Sequence, residues 1–189
     1  MSDEQTGKTP NTSEPRAATG SGRRIVASTH LVSERAAELS EFEFGLIIAG
    51  HAFNRWMVRC MSAAGYPDLN PMDVIILHTV NNKARDKKLA DICFVLNVED
   101  THVVNYALKR LEERGLVIRT KKGKEVFFLA TDAGRDACMR YRAVREECLI
   151  EACVAMGIDL RAVGALSGQL RALSGLYGQG ARAASVLYE

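Results

Sequence analysis

The chain has 189 residues, 47% of them hydrophobic and 25% charged, which is the composition of a folded domain with extensions. Its net charge of +2 alone points to no class of partner, and an aromatic content of 6% disfavours a platform for stacking single-stranded bases. Five cysteines without metal-like or paired spacing, no secretory signal and no apolar run near the roughly 20 residues of a membrane span predict a cytoplasmic protein without membrane contact.

The N-terminal segment, residues 1–30, is rich in Ser, Thr, Gly, Pro and charge. Such a segment buries too little apolar surface to order itself, so it predicts a disordered tail. An alternative role for Arg23 and Arg24 is an auxiliary arm that contacts DNA.

Residues 31–66 contain the first predicted helix, which begins near Arg35 and ends before Gly65. Phe42, Leu46 and Phe53 recur at helical spacing along its main apolar stripe. Ile47, Ile48 and Trp56 point away from that stripe. The helix is therefore apolar on more than one side, which indicates that it joins two bodies.

A second helix has a clear start signal in Asn70, Pro71 and Asp73, which supply a cap, a proline at the first position and an acid at the third. Its run of Val, Ile and Leu predicts a central place in the core. His78 lies within it, and core packing is the more frequent role for such a histidine. A polar loop follows, in which Asp86 is expected to cap a helix beginning at Lys87.

Residues 89–115 predict a helix, a turn and a second helix. Leu89, Ile92, Cys93 and Leu96 form one apolar stripe, and Asp100 is placed as the N-cap of the second helix. Gly115 ends this second helix in the position of a left-handed cap. The residues of the second helix predicted to face inward are Val104, Ala107, Leu108 and Leu111.

After Gly115 the periodicity becomes extended, and a basic turn around Gly123 separates two short strands. Residues 83–135 contain 12 Lys and Arg against 8 Asp and Glu, a surplus of four positive charges, whereas residues 1–82 have a net charge of −2 and residues 136–189 of zero. A helix-turn-helix followed by a basic hairpin is the winged-helix arrangement, whose outer helix fits a DNA major groove.

Two further helices are predicted beyond the wing. The first runs from the cap Thr131 to about Met156, and the second begins near Asp159. The glycines near residue 178 predict a loose C-terminal tail at 179–189. The last helix has a heptad-like seam of Val163, Leu166, Leu170, Leu173 and Tyr177. Surplus apolar surface on the first and the last two helices favours an oligomer.

The segments on either side of the wing resemble a known family. LKRLEERGLVIR, the short basic wing and FLATDAG are similar to the multiple-antibiotic-resistance regulator (MarR) family of winged-helix repressors, in which a LEERGLV-like segment precedes the wing and an LT-x-x-G-like segment opens the next helix. The wing RTKKGKEV departs from the family in lacking an Asp-x-Arg pattern, so its contact with the groove either comes from lysines or is weaker.

The resemblance implies a mainly α fold with a small β-hairpin. It places a winged helix-turn-helix DNA-binding domain at residues 67–131 and dimerisation helices at residues 31–66 and 132–178. In this family the first and last two helices interlock into a homodimer. The function implied is a transcription regulator, in particular a repressor, that binds a pseudopalindromic operator in double-stranded DNA.

The candidate DNA contacts lie on the second helix of the helix-turn-helix, at its approach and on the wing. Asn105 is expected to pair with adenine and Lys109 with guanine, because these pairings can be bidentate. The alternative for the basic turn is that its lysines are only solvated. The alternative for the helix is a solvated polar face on an interaction module. The full set is Lys88, Thr101, His102, Asn105, Tyr106, Lys109, Lys121, Lys122 and Lys124.

The resemblance also implies a small, often aromatic or phenolic, effector held between the dimer helices and the winged helix. The candidates for its binding are His51, Arg55, Trp56, Arg59 and His78, although packing or surface ion pairing is the commoner role for each. Some members of the family are redox sensors with a reactive cysteine in the first helix. Cys60 beside Arg59 is the candidate here, with an inert buried thiol as the commoner case.

Enzyme signatures such as H-E-x-x-H, G-x-S-x-G or a P-loop are absent, so neither catalysis nor a metal or cofactor is expected. The remaining alternative is a winged helix that binds protein partners without reading DNA.

Overall fold

The computed structural model describes residues 35–188, and the predicted tail at residues 1–30 with Arg23 and Arg24 lies outside them. The chain divides into two compact units, Met1–His51 and Ala52–Glu189. Among the described residues of the first unit is the beginning of helix α1. No helix in the described range is long and apolar enough to span a bilayer.

The first four helices end close to the boundaries predicted from sequence. They are α1 (Ala37–Ala63), α2 (Pro71–Asn81), α3 (Leu89–Leu96) and α4 (Thr101–Glu113). The start of α2 has the predicted capping box: Asn70 Oδ1 accepts from the Asp73 amide, and Asp73 Oδ2 accepts from the Asn70 amide, both at 2.9 Å.

The prediction for the start of α3 was wrong by two residues. Lys88 is the N-cap, and its amide donates to Asp91 Oδ2 at 3.2 Å. Asp86 does not cap the helix, because its carboxylate pairs with Lys122 of the hairpin. A contact between residues so distant in sequence is not visible in the local pattern that a cap prediction uses.

The hairpin consists of β1 (Val117–Lys122) and β2 (Glu125–Ala130), paired antiparallel with Val117 opposite Ala130 and Lys122 opposite Glu125. Gly123 in the two-residue turn has φ of 63°, a conformation that favours glycine. Lys87 exchanges two backbone hydrogen bonds with Phe128, at 3.1 and 2.8 Å. The segment before α3 is thus attached to the wing as a third, one-residue strand, which the sequence analysis missed.

The core lies within the unit Ala52–Glu189 and joins the end of α1, helices α2 to α5 and the hairpin. The inward positions predicted for α4 are all buried. Gly134, in the first turn of α5, packs directly on the backbone: a Cβ atom there would lie 2.1 Å from the Leu116 carbonyl oxygen. The largest fully buried side chains include Met61, Leu69, Ile76, Leu77, Ile92, Leu108, Leu111 and Leu116.

The helices after the wing differ from prediction in two respects. The single helix expected up to Met156 consists of α5 (Asp132–Arg145), a π-helical segment (Glu146–Ile150) and α6 (Glu151–Ala155). The last helix, α7 (Leu160–Tyr188), continues through its glycines, so residues 179–188 are helical and not a loose tail. Thr131 caps α5 as predicted, accepting from the Gly134 amide at 3.0 Å.

Candidate nucleic-acid interface

Helix α4 is fixed at its start by a side-chain cap and along its inner side by the core. Asp100 Oδ1 accepts a hydrogen bond from the His102 amide at 2.8 Å. The amphipathic character of α4 follows from the sequence, because apolar residues recur at spacings of three and four. Only one side of the helix is therefore available to a partner outside the domain.

The outer side of α4 contains the predicted recognition residues. Thr101, His102, Asn105, Tyr106 and Lys109 are all exposed, as the sequence analysis expected. Lys109 Nζ lies 3.9 Å from Glu113 Oε1, one turn further along, in a solvated pair that costs little to separate. These amide, hydroxyl, imidazole and ammonium groups can donate to or accept from base edges and phosphates.

Arg110 anchors α4 to the start of α2, a role that the sequence analysis did not identify. Its guanidinium lies 3.1 Å from Asp73 Oδ2 and donates to the Asp68 carbonyl oxygen at 2.8 Å. Asp73 is completely buried. Burial raises the pKa of the Asp73 carboxyl, while the Asn70 amide and the Arg110 charge oppose that rise. Arg110 also lies 5.9 Å from the centre of the Tyr106 ring.

The predicted wing lysines fall into two groups. Lys121 and Lys124 are exposed and form no ion pair with any residue that the structure describes. Lys122 pairs with Asp86, and Lys88 Nζ lies 2.5 Å from Glu125 Oε1. The hydrogen bond to Glu125 raises the pKa of the Lys88 ammonium. Two of the predicted DNA contacts are therefore engaged by carboxylates of the same domain.

Of the predicted effector residues, Trp56 and His78 both contact the Tyr141 side chain. His51 is exposed and belongs to the unit Met1–His51. In the other unit Arg55 and Arg59 are exposed, whereas Trp56 and His78 are half-buried. The His78 ring packs edge-on against Tyr141, with centroids 4.6 Å apart, and burial lowers the pKa of its imidazole.

An open cavity of about 370 Å³ lies beside His78, between α2 and α5. His78 is the only one of the five predicted effector residues on its wall. The Nε2 atom of His78 is buried and has no hydrogen-bond partner among the described residues. Sequence analysis missed Arg142 and Arg145 of this wall, because α5 meets α2 only in the folded chain. The lining residues are His78, Asn81, Cys138, Met139, Tyr141, Arg142 and Arg145.

Cys60, the predicted redox residue, lies in the core beside Tyr141. Its side chain is 1% exposed, and its thiol donates to the Tyr141 carbonyl oxygen at 3.4 Å. Burial is the largest influence on the Cys60 thiol and raises its pKa, so the thiolate that peroxides attack is disfavoured.

The chain matches a family model described as a winged helix DNA-binding domain over residues 69–134, which include α2, α3, α4 and the hairpin. No curated protein sequence matches the chain.

Solved structures with the same fold include two complexes of the regulator CouR and one structure of a further regulator. CouR from Rhodococcus jostii RHA1, bound to p-coumaroyl-CoA, is 21% identical, with a TM-score of 0.56 over 70% of this chain and 91% of that one. The repressor CouR bound to a 23-mer DNA duplex is 20% identical, with a TM-score of 0.58 over 74% of this chain and 96% of that one. NMB1585, a MarR family regulator from Neisseria meningitidis, is 15% identical, with a TM-score of 0.59 over 77% of this chain and 96% of that one.

The family model and these structures agree with the predicted winged helix and with the mainly α architecture around it. The chain therefore has the winged-helix fold of the MarR-type regulators.

Proposed function

We propose that the chain is a sequence-specific regulator of transcription that binds double-stranded DNA as a homodimer, acts as a repressor and is released by a small ligand. The observation that carries the proposal is the exposed polar side of α4 within a domain that continues directly into a basic hairpin. The CouR complex with duplex DNA, which has the same fold, supports it. A cytoplasmic location stays a prediction.

Base recognition is assigned to Asn105 and Lys109 of α4. A side-chain amide can pair with the N6 and N7 edge of adenine, and an ammonium can donate to O6 and N7 of guanine. Thr101, His102 and Tyr106 share the same exposed side, and we assign them to bases or nearby phosphates. Lys121 and Lys124 neutralise backbone phosphates, because no carboxylate of the described chain engages them.

Selection of bound fragments from a genomic library, followed by footprinting, tests this assignment. The proposal expects one enriched pseudopalindrome, with half-sites about 10 base pairs apart because each subunit presents one α4. Binding without an enriched motif would reject sequence readout. No binding to any duplex at about 0.1 M salt would reject the DNA-binding function itself.

The homodimer is supported by the apolar surface of α7. Val163, Leu166 and Leu170 recur along this helix, yet their side chains are 52%, 52% and 41% exposed in the single chain. A stripe of this kind on a 29-residue helix is too large to leave in water, and a second copy of the same helix presents a matching stripe.

For the effector, the cavity between α2 and α5 is the better site than the predicted group of residues on α1. It combines an apolar wall at Met139 and Tyr141 with the guanidinium groups of Arg142 and Arg145. These features suit an aromatic carboxylate, whose ring packs while its charge pairs with arginine. The relative with p-coumaroyl-CoA bound supports a ligand of this aromatic class.

A thermal-shift screen of aromatic acids tests the effector site with two variants. We expect stabilisation of the wild type, loss of that stabilisation in Arg142→Ala, and its retention in Arg55→Ala, whose side chain is outside the cavity wall. If the stabilisation is lost in Arg55→Ala but kept in Arg142→Ala, the effector binds at α1 and not in the cavity. An unaffected wild type would remove the support for an aromatic acid.

Two alternatives have specific observations attached to them. Phe94 and Val95 of α3 are 87% and 67% exposed, which favours a winged helix that docks on a protein. The genomic selection separates this reading from DNA recognition. The burial of Cys60 argues against redox control through its thiol. Unchanged DNA affinity after mild peroxide treatment would exclude this alternative.

A further inference from the structure

Two ion pairs connect the wing to the segment that leads into α3. Lys122 of β1 pairs with Asp86 of that segment, and Glu125 of β2 pairs with Lys88 at the N-cap of α3. The pairs have opposite polarity, since the wing supplies the base of one and the acid of the other. We name these four residues, Asp86, Lys88, Lys122 and Glu125, the wing clamp.

The ring of Phe127 lies close to both lysines of the wing clamp. Lys88 Nζ lies 5.5 Å and Lys122 Nζ lies 5.4 Å from the centre of this ring. An aromatic face attracts cations at such distances, and two ammonium groups at one ring would repel each other if both were unpaired. Asp86 and Glu125 remove that repulsion by neutralising both charges.

The ion pairs of the wing clamp are largely in contact with water. Its side chains are 41% exposed for Lys88, 56% for Glu125 and 65% for Lys122, and only Asp86 is more covered, at 22%. Ion pairs in contact with water add little to the stability of a fold. Their influence on a highly charged partner is larger, because each carboxylate competes with a phosphate for its lysine.

We propose that Asp86 and Glu125 limit the affinity of the domain for the DNA backbone by holding two lysines that would otherwise neutralise phosphates. This inference rests on the proposed DNA-binding function and assigns to it two acidic residues outside α4. Backbone affinity is shared by all sequences, so lowering it leaves a larger part of the discrimination to the base contacts of α4. The wing thereby keeps Lys121 and Lys124 as cations that pair with no carboxylate of residues 35–188.

The test is the affinity of the full chain for a random-sequence duplex, measured by fluorescence anisotropy over a series of NaCl concentrations. Asp86→Asn and Glu125→Gln are each expected to bind about two- to five-fold more tightly near 0.1 M salt. The slope of log affinity against log salt should steepen by up to about one, because one more phosphate is neutralised.

Asp136→Asn is the matched control. It removes the same charge from a surface ion pair, since Asp136 Oδ2 lies 2.8 Å from Arg140 Nη2 on α5, but it releases no lysine of the wing. We expect its effect on affinity to be less than half that of Asp86→Asn. An equal effect would show that net charge alone acts, and it would overturn the proposal.

A second comparison asks whether Asp86 acts through Lys122. In a Lys122→Gln background, Asp86→Asn should lose most of its gain, because no ammonium is left to release. A full gain in affinity in the Lys122→Gln background would overturn the proposed role of the wing clamp but not the DNA-binding function. The same holds if Asp86→Asn and Glu125→Gln bind the duplex no more tightly than the wild type. A wild type that binds no duplex would overturn the proposed function with it. Thermal midpoints of all variants check that they fold.

Discussion

The structure leaves no room for a side chain at Gly134. A Cβ atom at this position would meet the Leu116 carbonyl oxygen at 2.1 Å, and backbone cannot move aside as a flexible side chain can. We expect Gly134→Ala to lower the free energy of unfolding by about 3 kcal/mol, measured by urea denaturation. Gly168→Ala, in open space on α7, is the control and should be neutral or slightly stabilising. Equal losses in both variants would contradict the close approach.

His78 supplies a prediction about pH. Burial lowers the pKa of its imidazole in the folded state, so folding favours the neutral form. Its contribution to stability is therefore present above the unfolded pKa of about 6.5 and is lost as pH falls below it. The free energy of unfolding of the wild type should fall more steeply between about pH 7.5 and 5 than that of His78→Gln. Parallel pH profiles for the two proteins would exclude this role.

At the scale of elements, the position of α4 depends on its ion pair with α2. Arg110→Ala leaves the fully buried carboxylate of Asp73 without its cation, and we expect a loss of about 2 kcal/mol in the free energy of unfolding. Asp73→Asn in the same chain should recover part of the loss, because a neutral amide needs no cation. Lys109→Ala breaks only a solvated pair and should cost less than about 0.5 kcal/mol. If all three variants are equally stable, the anchoring is absent.

The elements whose apolar periodicity is local were predictable, and those set by distant contacts were not. The caps Asn70, Asp100 and Thr131 were found because a cap is defined within four residues. The pairing of Lys87 with Phe128 joins segments 41 positions apart and has no local signal. Helix α7 passes through Gly178 although each helical glycine costs about 1 kcal/mol, and its Ala, Leu and Arg neighbours offset that cost.

The same distinction holds for the candidate site. The exposed side of α4 follows from helical spacing, so the exposure of Thr101, His102, Asn105, Tyr106 and Lys109 could be predicted. The arginines beside His78 and the carboxylates of the wing clamp were missed, because α5 meets α2 and the wing meets the start of α3 only in the folded chain. Charge counting found the basic surplus of the domain but not which lysines are paired.

At the scale of the whole molecule, the exposed stripe of α7 predicts the oligomeric state. Sedimentation velocity should give a dimer for the wild type and a shift toward monomer for Leu166→Asp, because a buried charge without a partner opposes association. Ala172→Asp, which adds the same charge away from the stripe, should remain a dimer. A monomeric wild type at micromolar concentration would contradict the assignment of α7 to an interface.

The central claim is that the exposed side of α4 reads base pairs. Its most direct measurement is the ratio of affinities for the selected operator and for a random duplex, in the wild type, Asn105→Ala and Lys124→Ala at one salt concentration. We predict that Asn105→Ala loses about 1 to 3 kcal/mol on the operator alone, while Lys124→Ala weakens both duplexes alike and leaves the ratio unchanged. Equal losses on both duplexes for Asn105→Ala would contradict base readout by α4.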